Sequence, residues 1–492
     1  MMSAGQPLPA VTHREAHGKE TASIGQHIRH GKPQGREMHI GYIGLGAMGG
    51  QLARRLLETY PLTVWDLNPE AVAELEKLGA SAATSAAAMA RRCDVVVVCL
   101  PRSADVRQII SQPEGLAEGL SAGMLIIDQT SGTPAETSRI AAELAARGVA
   151  MIDAPVSGNP AIVVAGRHSV MASGPDDSYE MALPILQTLS PNLFRCGTRV
   201  GDGQAVKIVN NALNASTRLA LLEVVATARK MGLSVEAITD AINNGSGRCH
   251  PSMMMLPALI EGRSWSNFRL ALQLKDVSQA ISLGFECGVP MPISNITRGL
   301  LQIGINRFGN DARLADVVPM IEQFAGTRLV EGEPVAFPPP SASASREAAQ
   351  SSKDTGATDV AILLDAVMAD CNQAIACECA ALAFKFGLKR DAMARAINRS
   401  SGWSAAFERI MQVLACGGET SGGKIAATPS GHQIEELKRA CEMAVGCGAP
   451  MLIAGAVGTI FETCANRRRA AADTDELVHF FEQAARIEFP RG

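Results

Sequence analysis

The 492-residue chain has no excess of either charge: 45 Lys and Arg stand against 49 Asp and Glu, for a net charge of −4. Without a basic surplus there is little to build a phosphate-binding surface from, which excludes nucleic acid as a main partner. None of the twelve cysteines forms a C-x-x-C, and the densest group, Cys371, Cys377 and Cys379, falls in an alanine-rich, helix-like stretch. That pattern argues for reduced core thiols rather than disulfides or zinc, so no metal is expected. The first 37 residues lack an apolar h-region, which together with the thiols points to the cytoplasm. Long unbroken apolar runs are scarce. The uncharged run 443–461 approaches a membrane span in length, but Gly446, Gly448, Pro450, Gly455 and Gly458 interrupt it. Its "CGAP" at 447–450 reads as a turn between two buried helices, and no membrane contact is expected.

What is present divides the chain. Residues 1–37 are polar, carry His13, His17, His27 and His30, and read as a disordered tail that makes Met38 a candidate natural start. From 38 to 199, apolar runs such as "IGYIGLG", "LTVWD", "DVVVVCLP", "MLIID" and "AMIDAPV" alternate with helical patterns. This alternation predicts an α/β Rossmann domain, a doubly wound parallel sheet with crossover helices. Residues 200–330 turn to long helical periods rich in Ala, Leu and Met. Residues 331–358, rich in Pro, Ser and Ala, read as a linker, and 359–492 as a second helical segment. The two helical segments are alike: "EVVATARKMGLSVEAITDAINNGSG" (223–247) matches "ECAALAFKFGLKRDAMARAINRSSG" (378–402) at an offset of 155. "CGVPMPI" (287–293) matches "CGAPMLI" (447–453) at an offset of 160, so an all-α domain is expected in two tandem copies.

The chemistry begins in "IGYIGLGAMGGQLARRLL", where Gly44-x-Gly46-x-x-Gly49, with Leu45, Ala47 and Met48 between, joins a strand to a helix. Gly44 permits the tight turn, Gly46 lets a pyrophosphate approach the backbone, and Gly49 allows close packing at a helix N-terminus that favours negative charge. Asp66, 22 residues after Gly44, closes the next strand, where a carboxylate receives ribose hydroxyls and repels a 2′-phosphate. Leu67 and Asn68 follow rather than an arginine, so NAD is preferred to NADP. "DAPVSGNP" (153–160) carries a strand into a turn at the C-terminal edge of the sheet, where Ser157 and Gly158 suit a carboxylate or an ordinary tight turn equally.

In "GDGQAVKIVNNALN" (201–214), Lys207 sits among apolar residues with Asn210, Asn211 and Asn214 at helical spacing. Taken alone, it fits either a wet helix face or a lysine aimed into a polar cavity.

The ordered set "GYIGLGAMGG", "CLP", "DQTSGTP", "DAPVSG", "GDGQAVKIVNN" and "LQLKD" resembles the β-hydroxyacid dehydrogenases, the family of 3-hydroxyisobutyrate and tartronate semialdehyde reductase enzymes, over residues 38–325. The resemblance implies a helical domain related to that of 6-phosphogluconate dehydrogenase. It also implies that Lys207 is the catalytic lysine, Asn211 its partner, and Ser157 and Gly158 the substrate-carboxylate loop. Leu100, Pro101 and Ser131 are implied to meet the cofactor, and Lys275 to close over it. A lysine in a dry pocket can take the hydroxyl proton in oxidation and return it in reduction.

The family loop reads Ser-Gly-Gly followed by Gly-Thr-Leu, whereas this chain has Ser157-Gly158-Asn159 and then Gly166-Arg167-His168. Asn159 adds a side chain there. Arg167 and His168 either reach an extra oxygen or second anion on the substrate or face solvent. In the second copy Lys207 maps to Ile362, Asn211 to Ala366, Lys275 to Glu435 and Asp276 to Glu436, so that copy is expected to be catalytically degenerate. It is then expected to pack on the first and cover its cleft as a partner subunit would, in a monomer or a larger homo-oligomer. The expected activity is NAD(P)-dependent hydride transfer between nicotinamide and a small β-hydroxy acid or its semialdehyde. The rivals are an imine or ketone reductase, against which Lys207 counts, and a non-catalytic NAD-binding regulator.

Overall fold

In the computed structural model, which describes residues 38–329, 356–416, 431–466 and 476–492, the apolar runs of the first segment become the centre of one sheet. The predicted tail and the predicted linker as far as residue 355 lie outside the described residues. Strands β1 (Ile40–Ile43), β2 (Leu62–Trp65), β3 (Ser81–Ala82), β4 (Val95–Val98), β5 (Leu125–Asp128) and β6 (Ala150–Asp153) are parallel, in the order 3-2-1-4-5-6. Every residue of β1, β4 and β5 is buried, as strands covered on both faces require. Ile43 pairs with Val98, Val98 with Asp128 and Asp128 with Asp153, so these strands end level and their following loops leave at one edge.

The helices of this half are α1 (Gly49–Leu57), α2 (Pro69–Glu76), α3 (Ala86–Ala90), α4 (Ser103–Ser111), α5 (Pro134–Ala145), α6 (Pro160–Val164) and α7 (Asp176–Leu189). The sheet is not wholly parallel. After β6 come β7 (Val156–Ser157), β8 (Ser169–Ser173) and β9 (Asn192–Gly197), with β8 antiparallel to β6 and β7 and parallel to β9. These strands carry small, polar or charged residues in place of a β-branched apolar run, and β3 and β7 have two residues each, so periodicity does not reveal them.

The first helical copy consists of α8 (Asp202–Lys230), α9 (Val235–Asn244), α10 (His250–Ile260), α11 (Leu270–Cys287), α12 (Pro292–Phe308) and α13 (Val317–Ala325). The second repeats this series as α14 (Ala357–Phe386), α15 (Arg390–Ile397), α16 (Ala405–Ala415), α17 (Gly431–Cys447), α18 (Leu452–Asn466) and α19 (Glu476–Ala485). The 29-residue α8 and the 30-residue α14 pack on each other, and one continuous apolar core takes residues from both copies. The "CGAP" segment separates α17 from α18. Among the described residues, the one helix long and apolar enough to cross a membrane is instead α14, and 67% of its apolar window is buried inside the fold. None of the twelve cysteines is in a disulfide, and most are buried.

Every residue of α8 from Asp202 to Ala228 is buried except Asn211, which is half-buried. A helix surrounded on all sides has no solvated face on which to carry charges, which explains why Lys207 lacks charged neighbours. Its first turn is held by the sheet. The Asp153 carboxylate, at the end of β6, accepts from Gly201 N at 2.7 Å and Gln204 N at 2.8 Å. The Gln204 amide bridges the loop after β5, donating to Thr130 O at 2.7 Å and accepting from Gly132 N at 2.9 Å.

Candidate active site

The β1–α1 loop has the features a dinucleotide needs. Gly44 adopts φ +92, where a side chain is strained, and a Cβ there would lie 2.2 Å from Cys99 O. A Cβ on Gly49 would lie 1.9 Å from Gly44 O, so helix and loop could not close up with any larger residue. A Cβ on Gly46 would meet nothing within 4 Å, leaving an open approach to the backbone. Gly46 and Ala47 are exposed and Met48 half-buried, whereas the Leu45 side chain belongs to the core. Asp66 braces this loop, accepting from Leu45 N at 2.5 Å and Asn68 N at 2.7 Å. The Leu45 N–H is therefore engaged by protein. These residues fit a nicotinamide dinucleotide: the backbone at Gly46 is open to approach, and a carboxylate, Asp66, follows β2 beside the loop.

Lys275, from α11, joins the loops after β4 and β5: its Nζ donates to Pro101 O at 3.2 Å and Ser131 O at 2.9 Å. Leu100 N bonds Thr130 Oγ1 at 3.0 Å across the same gap. Met48 and Ser131 continue from these loops into a cavity of about 640 Å³ whose walls also include Ser157, Gly158, Asn159, Lys207 and Asn211. Of the predicted cofactor residues, Met48 and Ser131 line this cavity together with the predicted substrate residues, whereas Gly44, Gly46, Asp66, Leu100, Pro101 and Lys275 are not on its wall.

Lys207 is buried at 8% exposure, and burial lowers its pKa from 10.5 to about 8, with Lys275 adding to the fall and Asp276 opposing it. Asp276 accepts from Asn211 Nδ2 at 2.8 Å and pairs with Lys275 at 3.2 Å. It therefore couples the two lysines and the asparagine. Its position beside Lys275 in "LKD" is the signal that could have put it in the predicted set.

Asn159 is not free to meet a ligand with its carbonyl, because Oδ1 caps α6 through Ile162 N at 2.9 Å. Arg167 lines the cavity from an exposed position. His168 does neither of the things expected of it: it is fully buried behind Gly158, and burial pushes its pKa down to about 4.

The second copy reaches the same cavity through residues 398–403. Asn210 Oδ1 accepts from Gly402 N at 2.9 Å, Asn210 Nδ2 donates to Ser401 Oγ at 3.1 Å, and Asn214 Nδ2 donates to Ser401 O at 2.5 Å. At the pseudo-equivalent place, Asp365 accepts from Gly247 N at 2.9 Å and Ser246 N at 3.0 Å. Ile362, which stands where Lys207 would, is 61% exposed. Asn210, Asn214, Arg218, His250, Trp265 and the 398–403 segment were not foreseen as site residues; for the asparagines, the helical spacing from Lys207 was the available signal.

Comparison with known proteins agrees with this geometry. Residues 39–197 match the family model of the NAD-binding domain of 6-phosphogluconate dehydrogenase. A second model, the NAD-binding domain of NADP-dependent 3-hydroxyisobutyrate dehydrogenase, matches twice, over 201–321 and 356–481. The chain is 30% identical over 300 residues to 2-(hydroxymethyl)glutarate dehydrogenase of Eubacterium barkeri, covering 61% of this chain and 99% of that one. It is 31% identical over 249 residues to human mitochondrial 3-hydroxyisobutyrate dehydrogenase, covering 49% of this chain and 74% of that one. The crystal structure of 3-hydroxyisobutyrate dehydrogenase from Salmonella typhimurium is 27% identical with TM-score 0.51, covering 58% of this chain and all of that one. Plasmodium falciparum 6-phosphogluconate dehydrogenase, 14% identical, shares the fold over 88% of this chain and 94% of its own, with TM-score 0.64.

Fold, site and relatives define an NAD(P)-dependent oxidoreductase. The chain belongs to the β-hydroxyacid dehydrogenase family, whose relatives here include 3-hydroxyisobutyrate dehydrogenase, and it carries the helical domain in duplicate.

Proposed function

We propose that the enzyme oxidises a small β-hydroxy acid, or reduces the matching semialdehyde, with Lys207 as the general acid–base. The observation that carries this reading is a buried amine with a pKa near 8, in one cavity with Ser157, Gly158, Asn211 and Ser131. Bound NAD(P) takes or supplies the hydride. In oxidation the hydroxyl proton passes to the neutral Lys207 amine as the C–H hydride leaves; in reduction the ammonium returns a proton to the new alkoxide. Asn211, fixed by Asp276, orients the hydroxyl without competing for its proton. The Ser157 hydroxyl and the backbone at Gly158 hold the carboxylate, and Lys275 clamps the cofactor loops.

NAD is the cofactor this reading favours, because a carboxylate following the second strand, with no arginine after it, suits ribose hydroxyls and repels a 2′-phosphate. The second helical copy serves in place of a partner subunit, since it supplies the 398–403 wall of the cavity. Twelve cysteines without a disulfide suit a reducing cytoplasm.

The test is NADH formation with a panel comprising 3-hydroxyisobutyrate, threonate, glycerate and 2-(hydroxymethyl)glutarate, each run with wild type and Lys207→Ala. Turnover of at least one acid, with a loss of roughly 10²- to 10⁴-fold in the variant, supports the reading. NADH binding without turnover of any acid overturns it.

A further inference from the structure

Arg218 stands on the same face of α8 as Lys207, eleven residues further along, about 16 Å of helix rise. It lines the same cavity and is buried at 8% exposure. Its Nη1 donates to Gln273 Oε1 at 3.4 Å, its Nη2 donates to Asn214 Oδ1, and Nε has no partner among the described residues. The guanidinium lies 5.4 Å from the centre of the Trp265 ring. All of these neighbours are neutral. Asp276 is the one carboxylate among the described cavity-lining residues, and it is engaged by Lys275 and Asn211.

A buried guanidinium without a counter-ion is costly, and proteins keep such charges where an anion completes them. Burial holds the Arg218 pKa down at about 10, and the cation also helps to keep His250 neutral. Nor is Arg218 alone: Arg167, Arg263 and Arg399 line the cavity too, and the balance of charge on its wall is strongly positive.

We propose that the far end of the cavity is a second anion subsite, and that the substrate is an elongated β-hydroxy diacid. Resting on the dehydrogenase reading above, the arrangement puts one carboxylate at Ser157 and Gly158, the hydroxyl at Lys207 and the second acidic group at Arg218. Asn214 ties this subsite to the second copy, because the same amide that accepts from Arg218 donates to Ser401 O at 2.5 Å. A carboxylate matches the fork of a guanidinium in two parallel hydrogen bonds, which a hydroxyl or methyl group cannot do.

The test compares 2-(hydroxymethyl) dicarboxylic acids of four to six main-chain carbons with counterparts in which the distal carboxyl is a methyl group, using the full-length enzyme and NAD. One diacid is expected to exceed its counterpart in kcat/KM by roughly 10- to 100-fold, chiefly through KM, as a charge-assisted hydrogen-bonded pair implies. Arg218→Gln should bring that ratio towards one, Arg218→Lys should restore part of it, and Arg218→Met should do the same as Gln, with NADH binding retained in all three as the sign that the fold is kept. Methyl-ended acids turned over as well as the diacids would overturn the anion subsite and leave the dehydrogenase reading standing. Turnover of neither set, with NADH still bound, would remove both. A diacid preference that survives Arg218→Met would also overturn the assignment to Arg218.

Discussion

Glu223 and Glu378 occupy equivalent places in the two helical copies, and each caps a helix of the other. Glu223, on α8, accepts from Ile453 N at 3.0 Å in the first turn of α18. Glu378, on α14, accepts from Ile293 N at 2.8 Å, Ser294 N at 2.9 Å and Ser294 Oγ at 2.6 Å in the first turn of α12. Burial pushes both carboxyls up, to about 8 and about 7, while the helix N–H groups act the other way. The exchange is what an isologous dimer contact would look like if its two subunits had been joined in one chain.

Replacing either glutamate by alanine strands buried N–H groups at the entry of a helix from the opposite copy. Glu223→Ala and Glu378→Ala should each lower unfolding stability by about 1–3 kcal/mol, with the glutamine variants losing less because an acceptor oxygen is kept. Denaturant unfolding of the four variants checks this, and unchanged midpoints for both alanine variants would show that the reciprocal caps contribute nothing.

A lysine held near pKa 8 sets opposite pH dependences for the two directions of catalysis. Oxidation requires the neutral amine, so its rate should climb with pH and level off above about 8. Reduction requires the ammonium, so its rate should be level below about 8 and decline above it. Initial rates in both directions across pH 6–10, fitted for the group that titrates, decide the matter. Two profiles that run in the same direction would assign the proton transfer elsewhere.

Asp66 holds Leu45 N, and the proposed NAD preference rests on its charge. Asp66→Ser removes the charge and shortens the brace, so NAD binding should weaken while the preference for NADP over NAD rises by roughly tenfold or more, in line with loss of one repulsion and two charge-assisted hydrogen bonds. Paired kcat/KM values for the two cofactors measure this directly. A variant weakened equally towards both would leave Asp66 a structural brace without a role in selectivity.

Much of the architecture is legible in the sequence because two strong periodicities carry it. Apolar runs between amphipathic helices mark β1, β2, β4, β5 and β6, and repeated "AIN" and "CG-P-M" patterns mark the doubled helical domain. The want of charged neighbours around Lys207 has its reason in α8 being buried all round. What sequence leaves out is long-range. Nothing local tells that Ser401, which bonds Asn210 almost two hundred residues away, lines the cavity of Lys207, or that the carboxylate partner of Asn211 is Asp276. His168 meets neither expectation because it stands immediately before β8, buried behind Gly158, a placement set by the long-range pairing of β8 with β7 and β9.

The wall supplied by the second copy can be separated from the mere packing of the two copies by a matched pair of glycines. A Cβ on Gly402 would lie 2.8 Å from Asn210 Oδ1 and 2.9 Å from Asn210 O, on a helix too deeply buried to give way. The loop must therefore retreat, taking Ser401 away from Asn210 and Asn214. A Cβ on Gly247, the equivalent residue of the first copy, would meet Asp365 in the same manner, 2.8 Å from Oδ1 and 2.9 Å from O, but away from the cavity wall. Gly402→Ala and Gly247→Ala should then both lower stability, by about 1–3 kcal/mol as overpacking and a displaced buried acceptor imply. Only Gly402→Ala should raise KM for the hydroxy acid, with NADH affinity unchanged in both, because the cofactor loops lie at the sheet edge and touch neither glycine. Equal effects of the two variants on KM would mean that the 398–403 segment holds the copies together without shaping the substrate site.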